Sequence, residues 1–430
     1  MRVTTGVRGI GLGALVILAV LVLAAAPQAQ EKTLTIWTMG GDQPGWVKWL
    51  EAISANFERS NPGAKTKITY YDKSALLVAL KTALRARQGP DVIYHEPDQT
   101  ELVESGYLRP LNDIVPWDKV QPWARAAWTV KDQAYGVPYS WYTNEVFYNK
   151  KLMAELGVTL PSNGQVSQAE FLAILKKAKA AGMEPMVIGV GDRPFPGAYL
   201  TFEMLLRKLG PNDYQKLLEG KLSYADPRVV SVLRYAKEII DLGALPKAFY
   251  TLKLTDSYQY FFHRRGLMFP QGTWYSQRAF APPDKGGHPE GFSLGIMNWP
   301  AMEAGVCNEC RTAALSGGYG VNADSKQVAL AAAFFKEMAT PEMGELWTTL
   351  NNSPSGVLFD PSKVQNQYAW YFKELDRVRQ GSKYFIGIPL NFLTGQCRET
   401  FVQVINKAFP AALIGVEETV RQMNEACYKG

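Results

Sequence analysis

Histidine is scarce in this chain, with three residues among 430. The segment Ala314–Gly318 is similar to the turn that carries the nucleophile of many serine hydrolases, with Ala in place of its first Gly. Those enzymes place Ser, acid and His in that chain order. His95, His263 and His288 all precede Ser316, so a serine hydrolase is disfavoured. A secreted glycoside-acting enzyme stays open as an alternative, because a sequence does not show the distances between carboxylates.

Cysteine is also sparse, with four residues that all lie in the last third of the chain. An even number in an oxidising compartment indicates disulfides, and four cysteines allow three pairings. We expect Cys307–Cys310, which would close a tight loop, and Cys397–Cys427, which would join two C-terminal helices. A structural zinc site would require a second pair of closely spaced cysteines, so such a site is disfavoured. The alternative is a redox role for Cys307 and Cys310, although this pair opens no clear helix.

Excess charge is small for a chain of this size. The formal net charge of +6 falls to +4 once residues 1–29, which contain Arg2, Arg8 and no acid, are removed. No basic stripe typical of nucleic-acid binding is present, and there is no polybasic tail for lipid surfaces. The glycines of Gly9–Gly13 lie in that same N-terminal segment, and no glycine-rich phosphate loop follows a later strand. We therefore expect no nucleic-acid partner, no cofactor and no metal.

Long apolar runs are absent after residue 30, and the one such run is Ile10–Ala26. Arg2 and Arg8 precede it and small residues follow it up to Ala29, which is the pattern of a secretory signal peptide over residues 1–29. An uncleaved anchor is the alternative, because the run approaches the roughly 17–25 residues that span a bilayer. No Cys lies near the cleavage region, so a lipidated N-terminus is disfavoured. These features predict a free periplasmic protein.

Strand and helix patterns alternate through the first hundred residues. Short apolar strands are predicted at Leu34–Trp37, Thr66–Asp72 and Asp91–His95. Between them, apolar residues recur at helical spacing from Trp46 to Phe57, and a second helix is predicted over Ser74–Arg87. This β-α-β-α-β order predicts a parallel sheet covered by helices.

Helix-start signals recur later in the chain. Ser167 and Glu170 form a capping box, and Asp226 with Pro227 places a cap and a proline at another helix start. Further predicted elements are strands at Met186–Val190, Leu267–Phe269 and Gly291–Ile296, a helix from Asp324 to Met338 that ends at Thr340-Pro341, and a largely helical tail from Arg398.

Several segments, taken in chain order, resemble one protein family. They are Leu34–Trp37, Phe57–Gly63, Gly89–Ile93, Ser105–Leu111, Tyr135–Pro138 with Tyr148–Lys150, Gly266–Met268 with Gly272–Trp274, and Gly317–Val321. Each segment is short, but the ordered series spans the whole mature chain. It resembles the extracellular solute-binding proteins of ABC importers, carbohydrate type, which are maltose-binding-protein-like. Gly317 and Gly318 depart from the family pattern, because many relatives carry a polar or aromatic side chain there.

The resemblance implies an α/β fold of the two-lobed periplasmic-binding-protein type (type II). Each lobe would be a mainly parallel sheet flanked by helices, with the ligand cleft between the lobes at the carboxyl ends of the strands. The N-terminal lobe would comprise residues 31–139 plus 300–349, and the C-terminal lobe residues 140–299 plus 350–430. The chain would cross between them at Pro138–Trp141, near Asn298–Pro300 and near Leu350. Such a protein is expected to be a monomer without catalytic activity that captures a sugar and delivers it to transmembrane permease subunits.

A sugar site combines hydrogen-bonding groups for hydroxyls with aromatic rings for the C–H faces. Eleven Trp and 21 Tyr are more than a core of this size usually requires. Trp274 is the expected stacking platform; Asp42 and Asp98 also fit helix caps, and Asp192 with Arg193 also fits a surface ion pair. The predicted ligand contacts are Thr38, Asp42, Tyr94, His95, Asp98, Trp141, Tyr142, Asp192, Arg193, Trp274, Gly317, Gly318, Asn352 and Asn391.

Other ligands stay open within this binding function. A polyol or a phosphorylated polyol is the first alternative, and a phosphate group would draw basic residues such as Arg193 and Arg398. An iron complex is a more distant alternative, since the pairs Tyr70-Tyr71 and Tyr258–Tyr260 offer phenol ligands.

Overall fold

Strands and helices alternate along most of the chain. The computed structural model describes residues 32–97, 99–263, 265–364 and 367–430, so the predicted signal peptide and Asp98 lie outside the described residues. The strands are β1 Lys32–Thr38, β2 Ala64–Tyr70, β3 Val92–His95, β4 Leu108–Arg109, β5 Thr129–Val130, β6 Gln133–Ala134, β7 Val137–Asn149, β8 Glu184–Met186, β9 Gly266–Gly272, β10 Leu294–Met297, β11 Cys310–Asn322 and β12 Lys383–Ile386.

The α-helices within these ranges vary from one turn to almost five. They are α1 Pro44–Ser60, α2 Lys73–Arg85, α3 Thr100–Glu104, α4 Pro122–Ala127, α5 Lys150–Glu155, α6 Gln168–Ala180, α7 Phe202–Leu218, α8 Pro227–Asp241, α9 Leu254–His263, α10 Tyr275–Ala279, α11 Val328–Met338, α12 Pro341–Asn351, α13 Ala369–Arg379, α14 Pro389–Phe392, α15 Gly395–Gln403 and α16 Val416–Cys427. A 3-10 turn at Phe195–Leu200 and a π-helical turn at Val404–Ala408 become important below.

The predicted N-terminal β-α-β-α-β unit is confirmed. β1 pairs in parallel with β2 on one side and with β3 on the other. Helix α1 covers this sheet because Trp46, Leu50, Ile53 and Phe57 recur at three- and four-residue spacing on its buried face. Each side chain of this size contributes about 1.5–3 kcal/mol when it is buried.

Two long strands, β7 and β11, run through the middle of the molecule. They pair antiparallel from Ala313 opposite Thr143 to Tyr319 opposite Val137, with an irregular register at Gly317. The strand order is β2-β1-β3-β11-β7-β9-β8, so β3 lies on one side of this pair and β9 on the other. The α/β architecture is therefore confirmed, with parallel pairs in the outer parts and antiparallel pairs around β7 and β11.

The hydrophobic core is divided into two main clusters, which confirms the two-lobed architecture. The first contains Ile36 and Tyr319 and joins β1–β3 to α1, α11 and α12. The second contains Val146 and Cys310 and joins β7–β9 to α6–α8 and the C-terminal helices. A third, smaller cluster around Phe261 lies between β9, α9 and α13. Because β7 and β11 contribute to both main clusters, they connect the two lobes.

The core clusters describe the second connection. Met302, Cys307 and Cys310 pack in the second cluster, and β11 reaches the first cluster at Leu315. The change of core cluster thus falls inside β11, and the predicted crossing near Asn298–Pro300 stays a prediction. Small residues such as Ala and Gly in the middle of β11 weaken the strand pattern, which is why the sequence did not predict this strand.

Other elements refine the predicted boundaries. The capping box at Ser167 and the cap at Asp226 are confirmed. The strand predicted at Met186–Val190 ends at Met186. Beyond it, the backbone N–H of Val190 donates a hydrogen bond to the carbonyl of Phe249. Thr340 ends α11 as predicted, but its hydroxyl also accepts from the N–H of Met343 and begins α12.

Both expected disulfides are present. Cys307 is bonded to Cys310 and Cys397 to Cys427. Cys307, Cys310 and Cys427 are all buried in the second cluster, so both disulfides stabilise the C-terminal lobe. In the part of the chain that the structure covers, no helix has the length and hydrophobicity needed to cross a membrane.

Candidate functional site between the lobes

The site lies where the two lobes meet and has two faces. The N-terminal face comprises Asp42 after β1, Lys73 after β2, Tyr94 within β3 and Glu96 directly after β3. The C-terminal face comprises Tyr142, Arg193, Phe195, Trp274 and Arg278, which lie on β7, in the segment after β8 and in the segment after β9. Since the carboxyl ends of parallel strands share one edge of a sheet, the loops of the N-terminal face converge there.

Glu96 is the electrostatic centre of the N-terminal face. Its Oε1 accepts a hydrogen bond from the Tyr94 hydroxyl at 3.0 Å, and it forms an ion pair with Lys73. Burial raises the pKa of Glu96, but the positive charges of Lys73 and Arg193 outweigh burial and hold the pKa below its ordinary value. The side chain is 21% exposed. The site therefore contains an ionised carboxylate that a ligand can reach.

An ion pair joins the two faces directly. The Arg278 guanidinium lies 2.5 Å from the Asp42 carboxylate, with 27% and 58% of the two side chains exposed. The hydroxyl of Ser276, two residues before Arg278, donates to the backbone carbonyl of Asn352 at 2.7 Å, beside the predicted third crossing near Leu350. The predicted contact Asp42 is thus brought to the interface between the lobes, although an exposed pair of this kind stabilises by at most about 1 kcal/mol.

Trp274 dominates the C-terminal face. Its partly exposed ring lies edge-on to Tyr142 at 4.3 Å between ring centroids and to Phe195 at 6.1 Å. Burial raises the pKa of the neighbouring Tyr258 to about 12, and the Trp274 indole offsets part of this rise. A Cβ at Gly272 would lie 1.9 Å from the indole, so glycine is required for the ring to fold back over the strand end. These contacts fix the ring in one orientation, as a stacking platform requires.

Thr38, Tyr94 and His95 are each at most 2% exposed, and their contact with a ligand stays a prediction. The Thr38 hydroxyl bonds the Tyr319 hydroxyl at 2.9 Å. Only 2% of His95 is exposed; its ring lies against Trp128, and Nε2 bonds the Tyr135 carbonyl. Burial lowers the pKa of His95 to about 4, so the ring is neutral at pH 7.

The two aromatic residues at the first connection point to opposite faces of β7. Tyr142 is buried beside Trp274. Trp141 instead lies under the Arg379 guanidinium, 5.3 Å from the ring centroid, and edge-on to Trp123 at 5.8 Å. Because neighbouring side chains alternate along a strand, one of the pair faces Trp274 and the other the opposite side.

Several other predicted contacts have structural roles. Asp192 accepts from the backbone N–H of Leu254 at 2.8 Å and so caps the start of α9. Asn391 accepts from the N–H of Ile388 at 2.8 Å within a turn. Asn352 ends α12 in a left-handed conformation, with φ 51°. These backbone roles explain the residue types, while Arg193 lies close enough to Glu96 to lower its pKa.

Gly317 and Gly318 lie inside β11 rather than in a loop. A Cβ at Gly317 would lie 2.7 Å from the Tyr94 hydroxyl, and one at Gly318 would lie 2.4 Å from the Val137 carbonyl. Glycine is therefore required for Tyr94 and β7 to approach β11. The close approach explains both glycines without a ligand, and their backbone contact with a ligand stays a prediction.

Three residues of the site, Lys73, Glu96 and Arg278, were not predicted from the sequence. Glu96 directly follows His95 in a loop that was already singled out, and Arg278 lies one helical turn after Trp274, so the i, i+4 spacing was a usable signal. Lys73 follows β2 and carried no signal, because its role depends on pairing with Glu96 from a different strand end.

An apolar cavity adjoins the C-terminal face behind Trp274. Its volume is about 280 Å³ including its open mouth, and its lining residues include Tyr142, Phe195, Leu390 and Asn406. Across the described ranges, no group of three or more His, Cys, Asp and Glu is arranged to hold a metal ion.

Comparison with known proteins identifies the family. A family model described as bacterial extracellular solute-binding protein matches residues 41–345. The chain belongs to this family. A multiple sugar-binding protein of Streptococcus mutans is 23% identical to this solute-binding protein over 362 residues, 81% of this chain and 83% of the relative.

Two further comparisons agree with this assignment. An uncharacterized ABC transporter extracellular-binding protein of Pyrococcus horikoshii is 24% identical over 215 residues, so the match spans 48% of this chain and about half, 47%, of that relative. The solved structure of a chitin oligosaccharide binding protein superposes with a TM-score of 0.79 at 21% identity, covering 91% of this chain and 97% of that one. At this identity the superposition establishes a shared fold.

Proposed function

We propose that this protein is the solute-binding component of an ABC importer and that it captures a neutral sugar between its two lobes. The observation that carries the proposal is the pairing of Trp274 on one face with the ionised Glu96 on the other. A sugar ring offers an apolar C–H face to an aromatic platform and hydroxyl hydrogens to a carboxylate. The sugar-binding relative from Streptococcus mutans supports the same ligand class.

The charge balance of the site favours a neutral sugar over a phosphorylated polyol. Lys73 is paired with Glu96, and Arg278 with Asp42. Arg193 also lies close enough to Glu96 to lower its pKa. Because each basic group already faces a carboxylate, a phosphate dianion would have to compete with these acids. An uncharged ligand does not compete with these carboxylates. We therefore rank a neutral sugar first, a neutral polyol second and a phosphorylated polyol third.

The proposed mechanism is capture by hinge closure. The strands β7 and β11 connect the lobes, and a ligand that touches Glu96 and Trp274 together stabilises the closed arrangement relative to the open one. The lobes then comprise approximately the predicted segments. The closed monomer docks on the transmembrane permease subunits from the periplasm and makes or breaks no covalent bond in its ligand.

A ligand panel tests this function. The full chain is expressed and the secreted protein purified, and its melting temperature is measured with mono-, di- and oligosaccharides, polyols, phosphorylated polyols and ferric chelates. A sugar that binds with micromolar affinity raises the free energy of unfolding by about 2.7 kcal/mol at a hundredfold excess over Kd. Hits are confirmed by titration calorimetry, and each is recovered and analysed by mass spectrometry. Failure of every saccharide and polyol, or recovery of a cleaved product, would overturn the proposal.

A further inference from the structure

The cavity behind Trp274 contains polar atoms that the fold does not use. Within the described part of the chain, neither the Nδ2 nor the Oδ1 atom of Asn406 has a hydrogen-bond partner, and the same holds for Oδ1 of Asn144. Asn406 is fully buried and Asn144 is 1% exposed. Both side chains line the cavity. Buried amide groups are nearly always paired, so three unpaired atoms around one opening point to a ligand group that pairs them.

The backbone holds Asn406 firmly at this place. Asn406 lies on the π-helical turn Val404–Ala408, a rare geometry that re-aims side chains and is frequent at functional sites. A Cβ at Gly197 would lie 1.8 Å from the Asn406 carbonyl oxygen, so the 3-10 turn Phe195–Leu200 packs directly against it. The turn can approach this closely because residue 197 is glycine.

Asn144 is held by a different set of contacts. Its Nδ2 donates to the hydroxyl of Thr312 at 3.1 Å, and that hydroxyl in turn donates to the Glu203 carboxylate. The Asn144 amide orientation is therefore determined, which leaves its oxygen as the unpaired atom. The cavity thus offers one donor group, Nδ2 of Asn406, and two acceptors on separate side chains.

The rest of the lining is apolar. Tyr142, Phe195, Trp274, Leu390 and Phe401 surround the two amides. A matching ligand group must therefore carry an acceptor, a donor and a small apolar part, and it must reach the cavity from the cleft past Trp274.

We infer that this cavity is a pocket for the acetamido group of an N-acetylated sugar, an inference that rests on the proposed function. The acetyl carbonyl accepts from Nδ2 of Asn406, the amide N–H donates to Oδ1 of Asn144, and the methyl group contacts the aromatic wall. A trans amide points its N–H and C=O in opposite directions, so a donor on Asn406 and an acceptor on Asn144 suit it. A ring hydroxyl in the same place would supply the polar contacts and leave the apolar wall without a partner.

Two disaccharides provide a direct test. Di-N-acetylchitobiose and cellobiose share the same β-linked backbone and differ by having an acetamido group or a hydroxyl on each ring. Titration calorimetry of the secreted protein is expected to give at least about tenfold tighter binding of the acetylated sugar. Equal affinities would overturn the inference while leaving the proposed function standing. Failure of both sugars, together with the wider panel, would overturn the proposed function itself.

Two variants locate the preference in this cavity. Asn406→Leu removes the amide at nearly constant shape, and Leu390→Phe narrows the cavity while leaving both asparagines in the chain. Each is expected to reduce the preference for the acetylated sugar to within about twofold. The control Leu413→Phe makes the same exchange at a site that is 67% exposed and is expected to behave as the parent.

Using two variants keeps the test decisive even if one of them does not fold. Circular dichroism and the melting temperature report whether Asn406→Leu folds, and if it does not, Leu390→Phe decides the outcome. A preference that survives in a folded variant of either kind would overturn the assignment of the acetamido group to this cavity.

Discussion

The two lobes contribute different chemistry to the same cleft. The N-terminal face is charged, and its groups are already paired, as in the ion pair of Glu96 with Lys73. The C-terminal face is aromatic around Trp274 and adjoins a cavity in which the amide of Asn406 has no partner among the described residues. We interpret the first face as one that fixes the hydroxyl edge of a ligand and the second as one that supplies contact area and selectivity.

The lobes also differ in how they are stabilised. Both disulfides lie in the C-terminal lobe, whereas the first cluster relies on packed aromatics such as Trp46, Trp49 and Trp347. A lobe that holds an apolar cavity loses some packing stability, and a disulfide compensates by restricting the unfolded chain. This comparison leads to four predictions.

The largest effect is expected from the longer disulfide. Replacing Cys397 and Cys427 by Ala opens a loop with a sequence separation of 30 and should lower the free energy of unfolding by about 3–4 kcal/mol. The matched exchange of Cys307 and Cys310, with a separation of 3, should lower it by about half as much. Urea unfolding followed by fluorescence and circular dichroism measures both losses. Equal losses would contradict the loop-length argument.

A pH dependence is expected from one buried histidine in each lobe. Burial lowers the pKa of His95 to about 4 and that of His288 to about 3, from an ordinary value of 6.5. Between pH 6.5 and 4 the unfolded chain binds more protons, so stability is fully present above pH 6.5 and falls with acidification, by about 3 kcal/mol at pH 4 for His95 alone.

The variant His95→Gln isolates this contribution. Glutamine reaches the Tyr135 carbonyl with its own N–H and does not titrate, so the free energy of unfolding should depend less steeply on pH between 6.5 and 4. Denaturant unfolding at a series of pH values measures the slope. His288→Gln should remove a separate part of the pH dependence of the free energy of unfolding. An unchanged pH dependence in both variants would refute its assignment to these histidines.

The contrast between the faces is tested by Trp274→Ala. Loss of a fixed aromatic platform should weaken binding of the best sugar from the panel about 100-fold. Calorimetry measures the affinity, and circular dichroism checks that the fold is retained. Trp370→Ala is the matched control, because Trp370 is a C-terminal-lobe tryptophan that is 37% exposed and packs against Phe280 and Tyr371 rather than Trp274. Equal binding by the two variants would remove Trp274 from the site.

The smallest effect is expected from the ion pair across the cleft. Asp42→Asn removes one charge from a pair that is largely solvated, so sugar affinity should fall by about fivefold or less. The sugar affinity of Asp42→Asn should also depend less on salt concentration than that of the parent, since salt screens exposed charges. Titrations at low and high salt measure both, and a loss as large as that of Trp274→Ala would reverse the proposed roles of the two faces.

Local sequence signals were sufficient for much of the fold. The β-α-β-α-β unit, the caps at Ser167 and Asp226, and the Cys307–Cys310 pair depend on residues that are near each other in the chain. Periodicity and turn chemistry report on such neighbours directly. Trp274 was also predicted from local signals, because its glycine-rich flank marks a ring presented at the end of a strand.

Tertiary structure alone decided the remaining features. Strand β11 passes from one core cluster to the other, Glu96 is paired with Lys73 from another strand end, and Asn406 faces a cavity built from β7, the 3-10 turn and the C-terminal helices. No periodicity encodes these relationships, because each depends on which distant segments come together. Short-range chemistry therefore determines the elements and the residue types of the site, while long-range packing determines which groups are paired and which amide is left for a ligand.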